Sequence, residues 1–242
     1  MSEELVGSSL NQTDTGARLE GDLTMVERAD HGSTPGAGCG IVWCKNDTPS
    51  TLYYTDDAGT DFPAGGLVSA AEYVIPLTDC RVWDALITLL PGTAANDDMA
   101  LVTGTPGTNA PTLQGVDFGG TTSDECCAVL FALPAEYAAG ETITVRAHAG
   151  MLTTVSDGTA TLDCVCYSDD GDGTVSADIC ATAATTINSL TLADIDFTIT
   201  PTGLTAGTIL QIKLAFAASD TGNLGAMIPT VTKLSVLCDI RA

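Results

Sequence analysis

From Ala70 onward the chain repeats one pattern: a short run of apolar, β-branched or Thr-rich residues, then a turn built from Gly, Pro, Asp or Asn. The clearest run is "ETITVRAHAG", where Ile143, Val145, Ala147 and Ala149 alternate with Thr142, Thr144, Arg146 and His148. Successive strand side chains point to opposite faces, so this spacing predicts a half-buried strand with the first set inward. The alternation recurs in "DFTITP", "TILQIKLAF" and "TATLDCVCY", the last placing Ala160, Leu162, Cys164 and Cys166 on one face. Nine segments read as strands: 72–77, 82–90, 99–103, 127–133, 142–149, 159–167, 194–200, 208–217 and 230–240. Two stretches, "LPAEYAAGET" and "TPTGLTAGTIL", each leave one strand through a Pro- and Gly-bearing loop and enter the next. Paired long crossings of this kind predict an all-β fold, a jelly-roll-like or Greek-key β-sandwich.

The first 70 residues differ in character, being short of apolar runs and rich in Gly, Asp, Ser and Thr. Residues 1–37 read as an extended N-terminal arm that gains order against a partner. Residues 38–70 read as a small β-meander: strands 41–45 and 51–55, a "NDTPS" turn between them and a "DDAGT" turn after. A lone hairpin is marginal in water, so Trp43, Tyr53 and Tyr54 are expected to need cover from the main domain or a neighbouring copy. Residues 71–242 form the predicted sandwich.

Charge restricts the partners. With 31 Asp plus Glu against 8 Lys plus Arg the formal charge is −23, which repels nucleic acid, because binding there requires cations that displace phosphate counterions. No run of about 18 apolar residues predicts a membrane span. The start, "MSEELVGSSLNQTDTGARLEG", has no basic segment followed by an apolar one, so secretory export is not expected. None of the nine cysteines shows C-x-x-C spacing; buried free thiols are the expectation, with late disulfides open for Cys39 with Cys44 or Cys166 with Cys180.

The one stretch suggestive of a bound ion is "SDDGDGTVSAD". Asp170, Asp172, Gly173, Thr174 and Ser176 occupy the third, fifth, sixth, seventh and ninth places of an EF-hand-like loop, but Ser168 and Ile179 stand where Asp and a bidentate Glu belong. No helices flank it. The reading is an acidic β-loop in which Asp169, Asp170, Asp172 and Asp178 gather one Ca2+, with a plain turn as the alternative and no cofactor required. The clusters "NDDM" and "TDDAGTD" read as turns, which select the same residues. No catalytic residue is assigned and the chain is not expected to be an enzyme. His148 reads as an exposed polar residue beside Arg146, His31 in "ADHGSTPG" as inert, and Trp83 in "RVWDALITLL" as core.

The stretch "GIVWCKNDTPSTLYYTDDAGTDF" resembles a stem module of tailed-bacteriophage fibres and other virion proteins, of the form Gly, aromatic strand, "KN-TP", "L-YTD-AGT". The residues that follow, with "FALPAEYAAGETITVRAHAGM" and "DFTITPTGLTAGTILQIKLAFAASDTGN", are similar to a group of uncharacterised phage and environmental-genome β-proteins. The resemblance implies a virion structural protein: a homotrimer, anchored by its N-terminal arm to the major capsid protein or another virion protein, with the sandwich outward. It would be assembled in the bacterial cytoplasm and then be extracellular, as a capsid decoration protein or head fibre. The alternative is a tail fibre or receptor-binding sandwich that recognises host carbohydrate.

Overall fold

The computed structural model describes residues 27–46, 51–63, 68–95, 97–102, 104, 106–115, 123–153, 158–169, 171–219 and 227–241. The arm up to residue 26, the "NDTPS" turn beyond Asn46 and Asp170 lie outside them. Two units divide the chain, Met1–Leu67 and Val68–Ala242.

In the first unit a four-stranded sheet runs in the order β1 (Glu27–Arg28), β2 (Ile41–Lys45), β3 (Thr51–Thr55), β4 (Asp61–Pro63). Strands β2 to β4 are the expected meander, antiparallel throughout. Glu27 and Arg28, read from sequence as arm, pair in parallel with β2. The turn between β3 and β4 is closed by Asp56, whose Oδ1 accepts from Ala58 N at 3.0 Å and Thr60 N at 2.7 Å. Gly59 takes φ +81° there, a conformation that a Cβ disfavours. Trp43 is buried within this unit, its ring 5.1 Å from Tyr53 and 6.2 Å from His31. The cover expected from elsewhere is therefore supplied locally for Trp43, whereas Tyr54 stays exposed beside Phe62.

The second unit is a jelly-roll-like β-sandwich. One sheet has the order β13 (Thr185–Thr186), β12 (Thr159–Asp169), β15 (Ile209–Ser219), β10 (Ser123–Ala132), β6 (Arg81–Val82), β7 (Ala85–Leu89). The other has β14 (Ala193–Ile199), β11 (Ile143–Thr153), β16 (Ile228–Arg241), β9 (Thr112–Gln114), β8 (Ala100–Val102), with β5 (Val68–Ile75) also paired to β16. From β10 to β12 and again from β14 to β16, each strand lies in the sheet opposite its predecessor. That alternation makes both long crossings bridges between layers. The predicted faces hold: Ile143, Val145, Ala147 and Ala149 are buried, as are Ala160, Leu162, Cys164 and Cys166. They meet Phe197, Ile199, Leu210, Ile212, Leu214 and Phe216 in one core.

Segment 82–90 departs from the expectation of one strand. It is a hairpin, β6 and β7, turning at Trp83 and Asp84. Trp83 is accordingly partly exposed and outside the core, a correction that follows from the turn.

Candidate functional site

The acidic loop opens where β12 ends. Ser168 and Ser176 close its neck, with Ser176 N donating to Ser168 O and Ser168 N to Ser176 Oγ, both at 2.9 Å. Asp169 Oδ1 accepts from Gly171 N at 2.8 Å, and Asp172 Oδ1 accepts from Thr174 N at 2.9 Å and Thr174 Oγ1 at 2.7 Å. Gly171 and Gly173 take φ of +84° and +89°. These bonds are the side-chain-closed turns for which Asp and Gly are selected. Asp178 sits past the neck and does a different job: its Oδ1 accepts from both Cys166 N at 3.0 Å and Cys180 N at 2.9 Å.

That bond pair starts a strap. Ile179 N donates to Cys166 O in one sheet, and Thr200 N to Ile179 O beside the other, both at 2.8 Å. Ala181 N continues the connection to Thr198 O. Residues 176–182 thus lace β12 to the end of β14 along an edge of the sandwich. Of the four proposed ligands Asp170 lies outside the described residues, and the three that are described do not form a cluster of three donors; Asp169 and Asp172 belong to the loop and Asp178 to the strap.

Thiols line the strap and the core. All nine cysteines are free. A hydrogen bond between the Cys180 and Cys164 thiols raises the pKa of Cys164 and lowers that of Cys180. Burial pushes Cys166 up to about 12. Cys127 is raised first by its hydrogen bond with the Cys80 thiol and then by burial. The raised thiols of Cys127, Cys164 and Cys166 stay protonated at neutral pH and are poor nucleophiles.

The two outer faces of the sandwich differ in chemistry. Across β14 and β11, Arg146 Nε and Nη2 donate to Asp196 Oδ1 and Oδ2 at 2.6 and 2.7 Å, and His148 Nδ1 lies 2.7 Å from Asp194 Oδ1. Lys233 on β16 pairs with Glu72 on β5 at 2.5 Å. Register puts Arg146 opposite Asp196 and His148 opposite Asp194, so this face is a ladder of cross-strand polar pairs, ionic at Arg146 with Asp196. His148 is the exposed polar residue the alternation predicted.

The opposite face is largely uncharged. Around Gln211 and Lys213 of β15 stand Ala128 and Leu130 of β10 and Tyr167 of β12, their registered neighbours. With Trp83 and Leu86 they line a shallow groove of about 190 Å³. Lys213 Nζ sits 3.7 Å above the Trp83 ring, and Trp83 Nε1 donates to Asp97 Oδ2 at 3.1 Å. Next to the groove β7 exposes Leu86, Ile87, Thr88 and Leu89 in succession, Ile87 at 94% and Leu89 at 68%. Leu130 is 52% exposed. Sequence reading missed this surface because it took "RVWDALITLL" for buried strand; the signal was the "WD" pair, a turn inside an otherwise apolar run.

No family model matches the chain, and no curated protein matches it. Among solved structures, a carbohydrate-binding module specific for non-crystalline cellulose is similar at 10% identity and a TM-score of 0.35, over 62% of this chain and 88% of that one. A carbohydrate-binding module of the β-sandwich superfamily is similar at 10% identity and a TM-score of 0.33, over 82% and 74%. A chain of infectious bursal disease virus, Gt strain, is similar at 13% identity and a TM-score of 0.27, over 79% and 63%.

Proposed function

We propose that this chain is a non-enzymatic structural protein of a tailed-bacteriophage virion, displayed on the particle as a decoration or head-fibre subunit and held by contacts between subunits. The observation that carries the reading is the apolar outer face beside β7. Strand β7 pairs only with the two-residue β6 among the described residues, so most of its backbone donors and acceptors face outward. An exposed apolar edge strand is a template for association unless something covers it. In a homotrimer the cover is a second copy of the chain. The opposite face, with its paired charges, suits solvent. The N-terminal arm would anchor the subunit to the major capsid protein or another virion protein, after assembly in the bacterial cytoplasm and before release.

Light scattering on the purified full-length chain, combined with mass spectrometry of purified virions, tests this reading. The wild type should run as a trimer, Ile87→Lys together with Leu89→Lys should shift it towards monomer, and the chain should be present in particles. Absence from particles, or a wild-type monomer, overturns it.

A second reading has one observation in its favour, the groove containing Trp83 and Tyr167. Aromatic rings beside Gln and Lys are the usual platform for a sugar in a host-surface glycan. One face of Trp83 is taken by Lys213, and Tyr167 supplies a second ring to the groove. Glycan-array binding that is lost in Tyr167→Ala would favour this receptor-binding role over decoration.

A further inference from the structure

The small N-terminal unit contains a juxtaposition that the sequence hides, since its parts come from residues thirty apart. His31 Nδ1 lies 3.0 Å from Asp30 Oδ1 and 3.1 Å from Asp61 Oδ1. The nitrogen is shielded from water, yet it is in hydrogen-bond geometry with neither carboxylate. A protonated Nδ1 carries one hydrogen in the ring plane and can serve one acceptor well. An unprotonated one would turn its lone pair towards two anionic oxygens. Each protonation state leaves part of the arrangement unsatisfied, and a cation between the three donors resolves both.

The spacing suits an ion. Donors bound to one metal at about 2.1 Å lie about 3.0 to 3.4 Å from one another in octahedral or tetrahedral geometry, and both nitrogen-to-oxygen separations are at the short end of that range. All three donor atoms lie within 4.8 Å of one another.

The carboxylates are also held from behind. Asp30 Oδ1 accepts the backbone N–H of His31 at 2.8 Å. Asp61 Oδ1 accepts from Thr55 Oγ1 at 2.6 Å, and Thr55 Oγ1 in turn accepts from Trp43 Nε1 at 2.8 Å. Thr55 and Trp43 are both buried, so this relay fixes Asp61 in one position. Metal ligands are commonly oriented by such an outer layer of hydrogen bonds.

We propose that Asp30, His31 and Asp61 form a binding site for one divalent first-row transition cation, with water completing the coordination. The imidazole selects against Ca2+ and Mg2+, which prefer all-oxygen shells, and in favour of zinc-like ions. The metal would pin the segment after β1 to the start of β4, adding a cross-link to a unit that has little core of its own. The proposal is independent of the virion reading.

The experiment uses the full-length chain carrying Trp83→Phe, which leaves Trp43 as the one tryptophan, and Cys39→Ser, which removes an exposed thiol. Co2+ is titrated while Trp43 fluorescence is followed, the ring being 6.2 Å from that of His31. Saturable quenching at one ion per chain is expected, reversed by Zn2+ and unaffected by a hundredfold excess of Mg2+. His31→Asn and Asp61→Asn should each weaken it at least tenfold. The amide oxygen introduced by Asp61→Asn still accepts from Thr55, and the far-ultraviolet circular dichroism of both variants should match the parent. Quenching that does not saturate, that is the same in both variants, or that disappears on alkylating the remaining thiols while surviving His31→Asn overturns the proposal.

Discussion

Asp98 shows how a single carboxyl can work against the fold that holds it. It closes a two-way backbone pairing with Ala95, and its Oδ1 is shielded from water with no hydrogen-bond partner. Burial, and then the neighbouring charges of Asp97 and Asp84, push its pKa above the usual carboxylate value. A raised folded-state pKa means that the stabilising contribution is present below the unfolded value, near 4, and is lost as pH rises through the folded one. At neutral pH the ionised form is therefore a cost. Asp98→Asn should raise the melting temperature at pH 7 and leave it unchanged near pH 3, as read by differential scanning fluorimetry. A lower melting temperature at both values would mean that the carboxylate has an acceptor role that Asn cannot fill. Asp196 has the opposite sign, since Arg146 lowers its pKa and that contribution fades as pH falls. Such differences were illegible in sequence: "NDDM" reads as a turn, and nothing in it tells which Asp is shielded. The same limit applied to "SDDGDGTVSAD", where composition alone could not separate the turn-closing Asp169 and Asp172 from Asp178, which joins two backbone N–H groups across a strap.

At the scale of elements, period-2 alternation was a reliable guide wherever a strand was long enough to show it. Strands β11, β12 and β15 each run 11 residues, and their inward and outward sets were readable because one face meets the core while the other meets solvent. Strands β1 and β13 have 2 residues each and β9 has 3; segments so short contain no period, and they exist because a longer neighbour offers them an edge. Segment 82–90 failed for another reason, an apolar run long enough to mimic one buried strand although it folds back on itself. The faces of β15 give a direct measure of the pattern. Leu214 is in the core and fully shielded, whereas Gln211 lies three residues away on the outer groove. Leu214→Ala should cost about 2–5 kcal/mol, the range for a large buried aliphatic truncated in a packed core, while Gln211→Ala should stay within about 0.5 kcal/mol. Urea unfolding of the two variants provides the comparison. Equal losses would mean that the outer face is packed as tightly as the inner one.

For the molecule as a whole, two properties pull in opposite directions. The layered core is continuous, from Ile75 on β5 to Cys238 on β16, and the class of fold followed from its alternation and turn spacing. What covers the outer face did not follow, because apolar residues at a strand's outward positions look alike whether solvent or a second subunit meets them. Against this core stands a net charge of −23. Only a few of those carboxylates are paired with cations among the described residues, as in Arg146 with Asp196 and Lys233 with Glu72, so the remainder repel one another in the compact state. Salt screens this repulsion over a distance that shrinks to about 8 Å at physiological ionic strength. The exposed ion pairs are weakened by the same screening, but each is worth at most about 1 kcal/mol, and 8 Lys plus Arg can neutralise only a minority of 31 Asp plus Glu. The net effect should be stabilising: raising NaCl from 10 mM to 300 mM at pH 7.5 should increase the melting temperature, and the gain should shrink at pH 4, where many carboxylates are protonated in both states. Association through the proposed β7 interface would be subject to the same repulsion between copies, so the proposed trimer should also tighten with salt, as read by sedimentation across the same series. Dissociation on adding salt would instead assign the contact to ion pairs and remove the apolar edge from the interface.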